Sequence, residues 1–334
     1  MDVAAAVLDA ADLERRFGGL RRLYGDVGYA RIRMARVAVV GLGGVGSWAV
    51  EALARSGVAA LTLFDLDHVA ESNINRQVQA LGSTLGLAKA EALRQRIADI
   101  HPGCAVTAVE EFVSPENWPA LLPAPVDVLI DACDQVRAKV ALAAWGMASG
   151  VPVVCVGAAG GKRRPERVEV ADLSATTHDP LLASLRQRLR QHHAAPRHGA
   201  IGVRCVFSRE AVALPAADAC AADGPSDGMS NGLRDGANDG SLNCHGYGSS
   251  VSVTATFGLV AAAEAVEEVL RPQAILQGST DGSLAQSVEQ RTFNPLVAGS
   301  NPARPTTGPQ ARSVQEAEAV AQLPKATAEM PKGS

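Results

Sequence analysis

No two cysteines of this chain stand in a C-x-x-C spacing. The six thiols, Cys104, Cys133, Cys155, Cys205, Cys220 and Cys244, are scattered. That pattern argues against a disulfide framework and against a four-cysteine zinc site, and no zinc is expected. Aromatic residues are 4% of the 334, so stacking on bases is not a main mode of recognition. A basic excess is missing too. The 31 Lys and Arg face 35 Asp and Glu, a net charge of −4, so no global field favours nucleic acid, although a local patch is compatible with it. The longest apolar run, residues 251–263, counts about 13 residues, against the roughly 20 that a bilayer requires. The opening MDVAAAVLDAADLERRFGG carries acids inside its apolar stretch and no basic leader, unlike a secretory signal. A cytoplasmic location is expected.

What the chain does have is an alternation of short apolar runs with helical patterns. RVAVVG (36–41) reads as a strand, 46–56 as a helix, ALTLFD (60–65) as a strand and 86–100 as a helix. CAVTAVE (104–110) then reads as a strand, PENWPALL (115–122) as a short helix and VDVLIDA (126–132) as a strand. VRAKVALAAWGMASG (136–150) and VPVVCVG (151–157) complete the series as helix and strand. Residues 9–35 form an arginine-rich helical lead-in. Continuous apolar strands separated by helices predict a parallel α/β sheet with helices on both faces. Residues 162–205 are basic and partly helical. Residues 218–247, rich in Gly, Asp, Ser and Asn, predict a mobile loop, and 251–270 a helix that packs on the sheet.

Gly41-x-Gly43-x-x-Gly46 sits between the first strand and helix. Its glycines allow a tight turn, approach of the backbone to phosphate and close helix–sheet packing, with the helix N-terminus facing the phosphates. Asp65 ends the second strand, about 20 residues on, where an acid takes ribose hydroxyls. NAD, FAD and ATP proteins all use this unit. The residues that follow discriminate. DLDHVAESNINRQ supplies Asp67, Asn73, Arg76 and Gln77, GLAKA supplies Lys89, and DACDQVRAK supplies Asp134. Two cations and a metal-competent acid around one phosphate pocket suit attack on the α-phosphate of ATP, with Mg²⁺ held on the leaving pyrophosphate. Hydride transfer needs no such clamp. Each residue alone reads equally as a solvated surface charge.

The stretch from GLGGVGSW through SNINRQ and AKA to DACD resembles the ubiquitin-activating-enzyme-like superfamily, which includes the MoeB and ThiF adenylyltransferases. More closely, RFGGLRRLYGD (16–26), GAAGGKRRPERVEVADLSATTHDPLLASLRQRLR (157–190), GVRCVFSRE (202–210) and SVTATFGLVAA (252–262) resemble the tRNA threonylcarbamoyladenosine dehydratases, over roughly residues 12–270. The resemblance implies a Rossmann-like ATP-binding sheet extended by the basic, partly helical C-terminal half. Gly41, Gly43, Gly44 and Gly46 would line the ATP phosphates and Asp65 the ribose. Asn73, Arg76 and Lys89 would contact the triphosphate and Asp134 the magnesium. It also implies a homodimer, and an extra arginine supplied across it, for which Arg16, Arg21 and Arg22 are the candidates. The implied reaction is ATP-dependent dehydration of threonylcarbamoyladenosine next to the tRNA anticodon. The carboxylate is adenylated and an intramolecular ring closure expels AMP.

Candidate tRNA contacts are Arg163, Arg186, Arg188, Arg190 and Arg197, with Lys162, Arg164, Arg167 and Arg204 adding charge. Adjacent His192 and His193 point to different helix faces, which disfavours zinc there. Cys244 reads either as a sulfur relay, since the family is linked to a cysteine desulfurase system, or as an incidental loop thiol. Three other functions share the glycine turn. An adenylyltransferase for a ubiquitin-like sulfur carrier usually brings paired C-x-x-C ligands. An NAD oxidoreductase leaves Arg76, Lys89 and Asp134 unexplained, and a regulator would only sense ATP. One adenylating domain is expected over 1–270.

The tail, 271–334, is expected to be disordered. Gly299-Ser300-Asn301-Pro302 can be encoded by GGT TCG AAT CC, Val288-Glu289-Gln290 by GTA GAG CAG and Thr292-Phe293-Asn294 by ACT TTT AAT. These match the T-arm, D-arm and anticodon loop of a transfer-RNA gene. The tail therefore reads either as translation through such a gene or as an ordinary disordered extension.

Overall fold

The computed structural model describes residues 12–213 and 247–271. The loop expected over 218–247, Cys220, Cys244 and the 272–334 tail lie outside the described residues, apart from Tyr247. The elements in chain order are α1 (Leu13–Phe17), α2 (Gly19–Met34), β1 (Arg36–Val40), α3 (Gly46–Arg55), β2 (Ala60–Phe64), α4 (Lys89–Ile100) and β3 (Ala105–Val109). They continue with β4 (Val128–Asp131), α5 (Val136–Ser149), β5 (Val153–Val156), β6 (Val168–Asp172), α6 (Pro180–His192), β7 (Arg204–Ser208) and α7 (Val251–Leu270). The strands form one sheet in the order β3-β2-β1-β4-β5-β7-β6. All pairings are parallel except β6 with β7.

The period of two along each strand divides the core between the two faces. Val37 and Val39 of β1 pack with α3, α4 and α7, whereas Ala38 and Val40 pack with α5 and α6. Burial on both faces explains why the central strands are continuous apolar runs. Helix α7 comes close enough to α3 that a methyl on Gly258 would overlap the Val45 carbonyl oxygen.

Two expectations are corrected. Residues 115–122 form turns rather than a helix, because Pro119 offers no N–H and Pro123 stops any continuation. The basic half contributes two strands, and β6 makes the sheet mixed rather than wholly parallel. VEVAD carries alternating apolar and acidic residues, the signature of a half-buried edge strand that a search for continuous apolar runs passes over.

The N-terminal helices are anchored at His101, just after α4. His101 is 1% exposed. It packs against Phe17 with ring centroids 4.7 Å apart and the rings inclined by 59°, and its Nε2 lies 2.9 Å from Arg33 Nη1. Burial, reinforced by the Arg33 charge, lowers its pKa from 6.5 to about 4. The folded state thus holds this ring neutral while the unfolded chain protonates it. Its contribution to stability is complete above about pH 6.5 and is lost as pH falls towards about 4. Urea midpoints measured across that window are expected to fall with pH, and more steeply than those of His101→Phe.

Candidate active site

In the strand order, β2 and β3 lie on one side of β1, and β4 and β5 on the other. The chain therefore leaves β1 and β4 in opposite directions, and this switch point opens a crevice at the carboxyl ends of the strands. A cavity of about 490 Å³ lies there. Its wall includes Gly41, Gly43, Gly44, Asp65, Asn73, Arg76, Lys89 and Asp134. Gly46 is the one phosphate-lining candidate outside this wall. It lies beneath, where any Cβ would overlap the Gly41 carbonyl oxygen, so its role is close packing of α3 on the turn. Gly41 has φ +86°, and a Cβ there would stand 2.9 Å from the Ala132–Cys133 backbone.

Asp65 is 7% exposed. Its carboxylate accepts the Leu42 N–H at 2.6 Å and the Asp67 N–H at 2.9 Å, so it also holds the glycine turn in place. Burial raises its pKa, against the opposing pull of Lys89 and the two N–H groups. Lys89 opens α4 and is buried. Its Nζ lies 2.6 Å from Asp67 Oδ2 and 3.9 Å from Asp65 Oδ1. Asp67 thus holds the lysine over the cavity.

Asn73 lies in a short 3₁₀ turn. Its Oδ1 accepts the Ala70 N–H at 3.1 Å, and its amide nitrogen makes no hydrogen bond among the described residues. The Arg76 stem and the Thr254 methyl of α7 both lie against Gly44, where a Cβ would stand 3.2 Å from each. Its Nη1 donates to Ser72 O (2.8 Å) and Asn75 Oδ1 (3.0 Å), and Trp48 Nε1 donates to its carbonyl (2.9 Å). Burial lowers its pKa. Asp134, in the loop between β4 and α5, accepts no hydrogen bond among the described residues. The cleft therefore presents two cations, a free amide and a free carboxylate: Asn73 and Arg76 from the β2–α4 connection, Lys89 from the first turn of α4 and Asp134 from the β4–α5 connection. Cys133, Phe112, Tyr247 and Ser249 also line it. Cys133 lies within the DACD segment, where Asp134 is the group suited to a metal, and Phe112, Tyr247 and Ser249 lie in loops without a motif.

The basic candidates divide. Arg163, Arg188 and Arg197 are exposed. Arg190 is half-buried, with Nε on Pro196 O at 3.1 Å. Arg186 faces inward and donates to Leu173 O, Thr176 O and Thr176 Oγ1 at 2.9–3.0 Å. Lys162 is 3% exposed and donates to Ser208 O and Glu210 O. These two residues close turns by satisfying buried carbonyls, so they do not extend a basic surface. In the N-terminal helices, Arg16 caps α4 through Asp99 O and Ile100 O. Arg21 pairs with Glu14 and Asp26. Arg22 makes no hydrogen bond or ion pair among the described residues. Within those residues, no helix is long and apolar enough to cross a membrane, and no cluster of three His, Cys, Asp or Glu is poised to hold a metal.

A profile of the ThiF family matches residues 16–291. The chain belongs to the ThiF family. Within it, the chain is 42% identical to the Escherichia coli tRNA threonylcarbamoyladenosine dehydratase over 265 residues, 77% of this chain and 94% of that protein. A crystal structure of E. coli tRNA N6-threonylcarbamoyladenosine dehydratase in complex with ATP superposes with a TM-score of 0.67 at 40% identity. It covers 78% of this chain and 96% of that one. The E. coli molybdopterin-synthase adenylyltransferase is 38% identical, but over only 127 residues, 38% of this chain and 51% of that protein. This ThiF-family chain therefore matches the dehydratase over nearly its whole length and the adenylyltransferase over about half.

Proposed function

We propose that the protein is an ATP-dependent tRNA threonylcarbamoyladenosine dehydratase. The observation that carries this reading is the likeness to the E. coli enzyme across 94% of that enzyme's length, well beyond the 127 residues that match the molybdopterin-synthase adenylyltransferase. ATP is a substrate. The glycine turn and the N-terminus of α3 receive its phosphates, and Asp65 its ribose. Arg76 and Lys89 neutralise charge on the α-phosphate as the substrate carboxylate attacks it, and Asn73 donates a hydrogen bond. Asp134 fits a magnesium ion, since its carboxylate faces the cleft without a protein donor. One carboxylate suffices for an ion that keeps waters and phosphates as its other ligands. Magnesium there would stabilise the departing pyrophosphate. Ring closure within the activated nucleoside then expels AMP, and the net change is loss of one water.

The test is to incubate the protein with ATP, Mg²⁺ and tRNA bearing threonylcarbamoyladenosine, then weigh the digested nucleosides. Loss of the mass of one water is expected. An unchanged nucleoside sinks the proposal.

Arg163, Arg188 and Arg197, with Arg190 at their margin, are the proposed phosphate contacts for the anticodon stem. Arg188→Ala and Arg197→Ala are each expected to weaken tRNA binding and to flatten its dependence on log salt by up to about 0.9 per lost contact. Arg186→Ala is expected to lower the melting temperature instead. Filter binding at several salt concentrations, with a thermal melt, separates the two classes. We further propose a homodimer in the cytoplasm and a link to a cysteine desulfurase system. The alternative, an adenylyltransferase for a sulfur carrier, predicts pyrophosphate release provoked by a small protein ending in Gly-Gly.

A further inference from the structure

Beneath the cleft lies an ion pair that the proposed chemistry does not use. Asp131 ends β4 and Lys139 lies in α5. Both side chains are 0% exposed, and Nζ stands 3.0 Å from Asp131 Oδ1. The same Nζ donates to the Asp131 carbonyl at 3.2 Å. Oδ1 also accepts the Cys133 N–H at 3.2 Å and the Cys133 thiol at 2.9 Å. Asp131 Oδ2 is buried without a partner. Burial pushes the Lys139 pKa down, but Asp131, Cys133 and Cys155, which face the ammonium, together outweigh it and the net shift is upward.

Such a pair is a poor stabiliser. Removing two charges from water offsets most of their attraction, and well-packed apolar residues often serve as well or better. Its geometry suggests another role. The strap between β4 and α5 runs through Cys133, Asp134 and Gln135. One carboxylate holds both ends, through Cys133 N–H on the strand side and Lys139 on the helix side. Ala132 N–H is fixed in turn on Val40 O at 2.9 Å, and Lys139 N–H on Gln135 O at 3.0 Å. Asp134 is the residue left between these anchors.

We propose that Asp131 and Lys139 are positioning residues that clip the β4–α5 strap at both ends and so set where the Asp134 carboxylate enters the cleft. The proposal rests on the reading of Asp134 as the magnesium-facing group. Two quantities test it. One is the gain in ATP affinity on adding Mg²⁺, by calorimetry on the full chain, and the other is kcat for pyrophosphate release. Asp131→Val with Lys139→Met removes the clip but keeps an apolar fill. This variant is expected to melt near the parent temperature, yet to lose on the order of tenfold in kcat and most of the Mg²⁺-dependent gain. Asp131→Asn keeps the Oδ1 acceptor but strips Lys139 of its counter-charge, so it is expected to melt well below the parent and, assayed below that melting temperature, to retain both within about threefold. Lys139→Met alone, which removes the helix-side clip, is expected to lose the gain as well and serves if the double variant does not fold. A parent-like gain in the double variant, or in Lys139→Met, overturns the proposal. So does an Asp131→Asn protein as defective as the double variant. Asp134→Ala keeps the two failures apart. If it retains the gain, the magnesium reading of Asp134 has failed. If it loses the gain while the clip variants keep it, only the positioning has failed.

Discussion

Arg76→Ala is expected to slow pyrophosphate release by about 10²–10³-fold, the usual cost of removing one preorganised group that stabilises charge developing in the transition state. The guanidinium is well placed for a large effect. Its stem lies against Gly44, and its Nη1 is fixed on Ser72 O and Asn75 Oδ1. Nε and Nη2 make no hydrogen bond among the described residues. Partial burial weakens competition from water. Because the fork is already oriented, Arg76→Lys is expected to recover only a small part of the rate, since an ammonium cannot keep the Ser72 and Asn75 anchors while reaching phosphate. Single-turnover measurement of pyrophosphate with the modified tRNA separates this from a binding defect. A variant with parent-like kcat would remove Arg76 from the proposed mechanism.

Gly46→Ala is the second large effect, and it acts on the backbone. The added methyl would overlap the Gly41 carbonyl oxygen and meet Ala132 Cβ at 3.3 Å. Neither neighbour is a flexible side chain that can swing aside, so the turn or α3 must shift. Overpacking of this kind costs about 1–3 kcal/mol, or several degrees in the thermal midpoint. A displaced turn also moves every N–H that the proposed ATP site presents to phosphate, so ATP binding is expected to fall by at least about tenfold. Gly43→Ala is the discriminating control. A Cβ at Gly43 meets nothing within 4 Å, and this glycine faces the cavity. It is expected to melt like the parent while still weakening ATP, because the methyl occupies the path of the phosphates. Thermal melts and ATP titrations of the pair separate packing from approach. Equal melting temperatures for Gly46→Ala and the parent would contradict the packing role.

Much of the cleft is legible in one dimension because local rules dictate it. Gly41, Gly43 and Gly44 mark the turn, a strand end marks Asp65, and a helix start marks Lys89. The basic half was harder to read. Its arginines look alike in sequence, and composition cannot separate Arg188, whose charge faces water, from Arg186, whose charge closes a turn under α6. Strand β6 escaped because it is a half-exposed edge, and 115–122 misled because an apolar pattern outweighed two prolines.

The sequence by itself determined the α/β class and the glycine turn, and it supplied the charged residues on which the proposed adenylation rests. These depend on backbone sterics, on apolar periodicity and on the kinds of charge a triphosphate needs. Only the tertiary structure decided which of those charges meet. It brought Arg76 of the β2–α4 connection, Lys89 at the start of α4 and Asp134 of the β4–α5 connection onto one cavity, turned Arg186 and Lys162 inward, and buried Lys139 against Asp131 beneath Asp134. Side-chain direction and burial depend on which elements pack together across the sheet, and no local stretch of sequence records that packing.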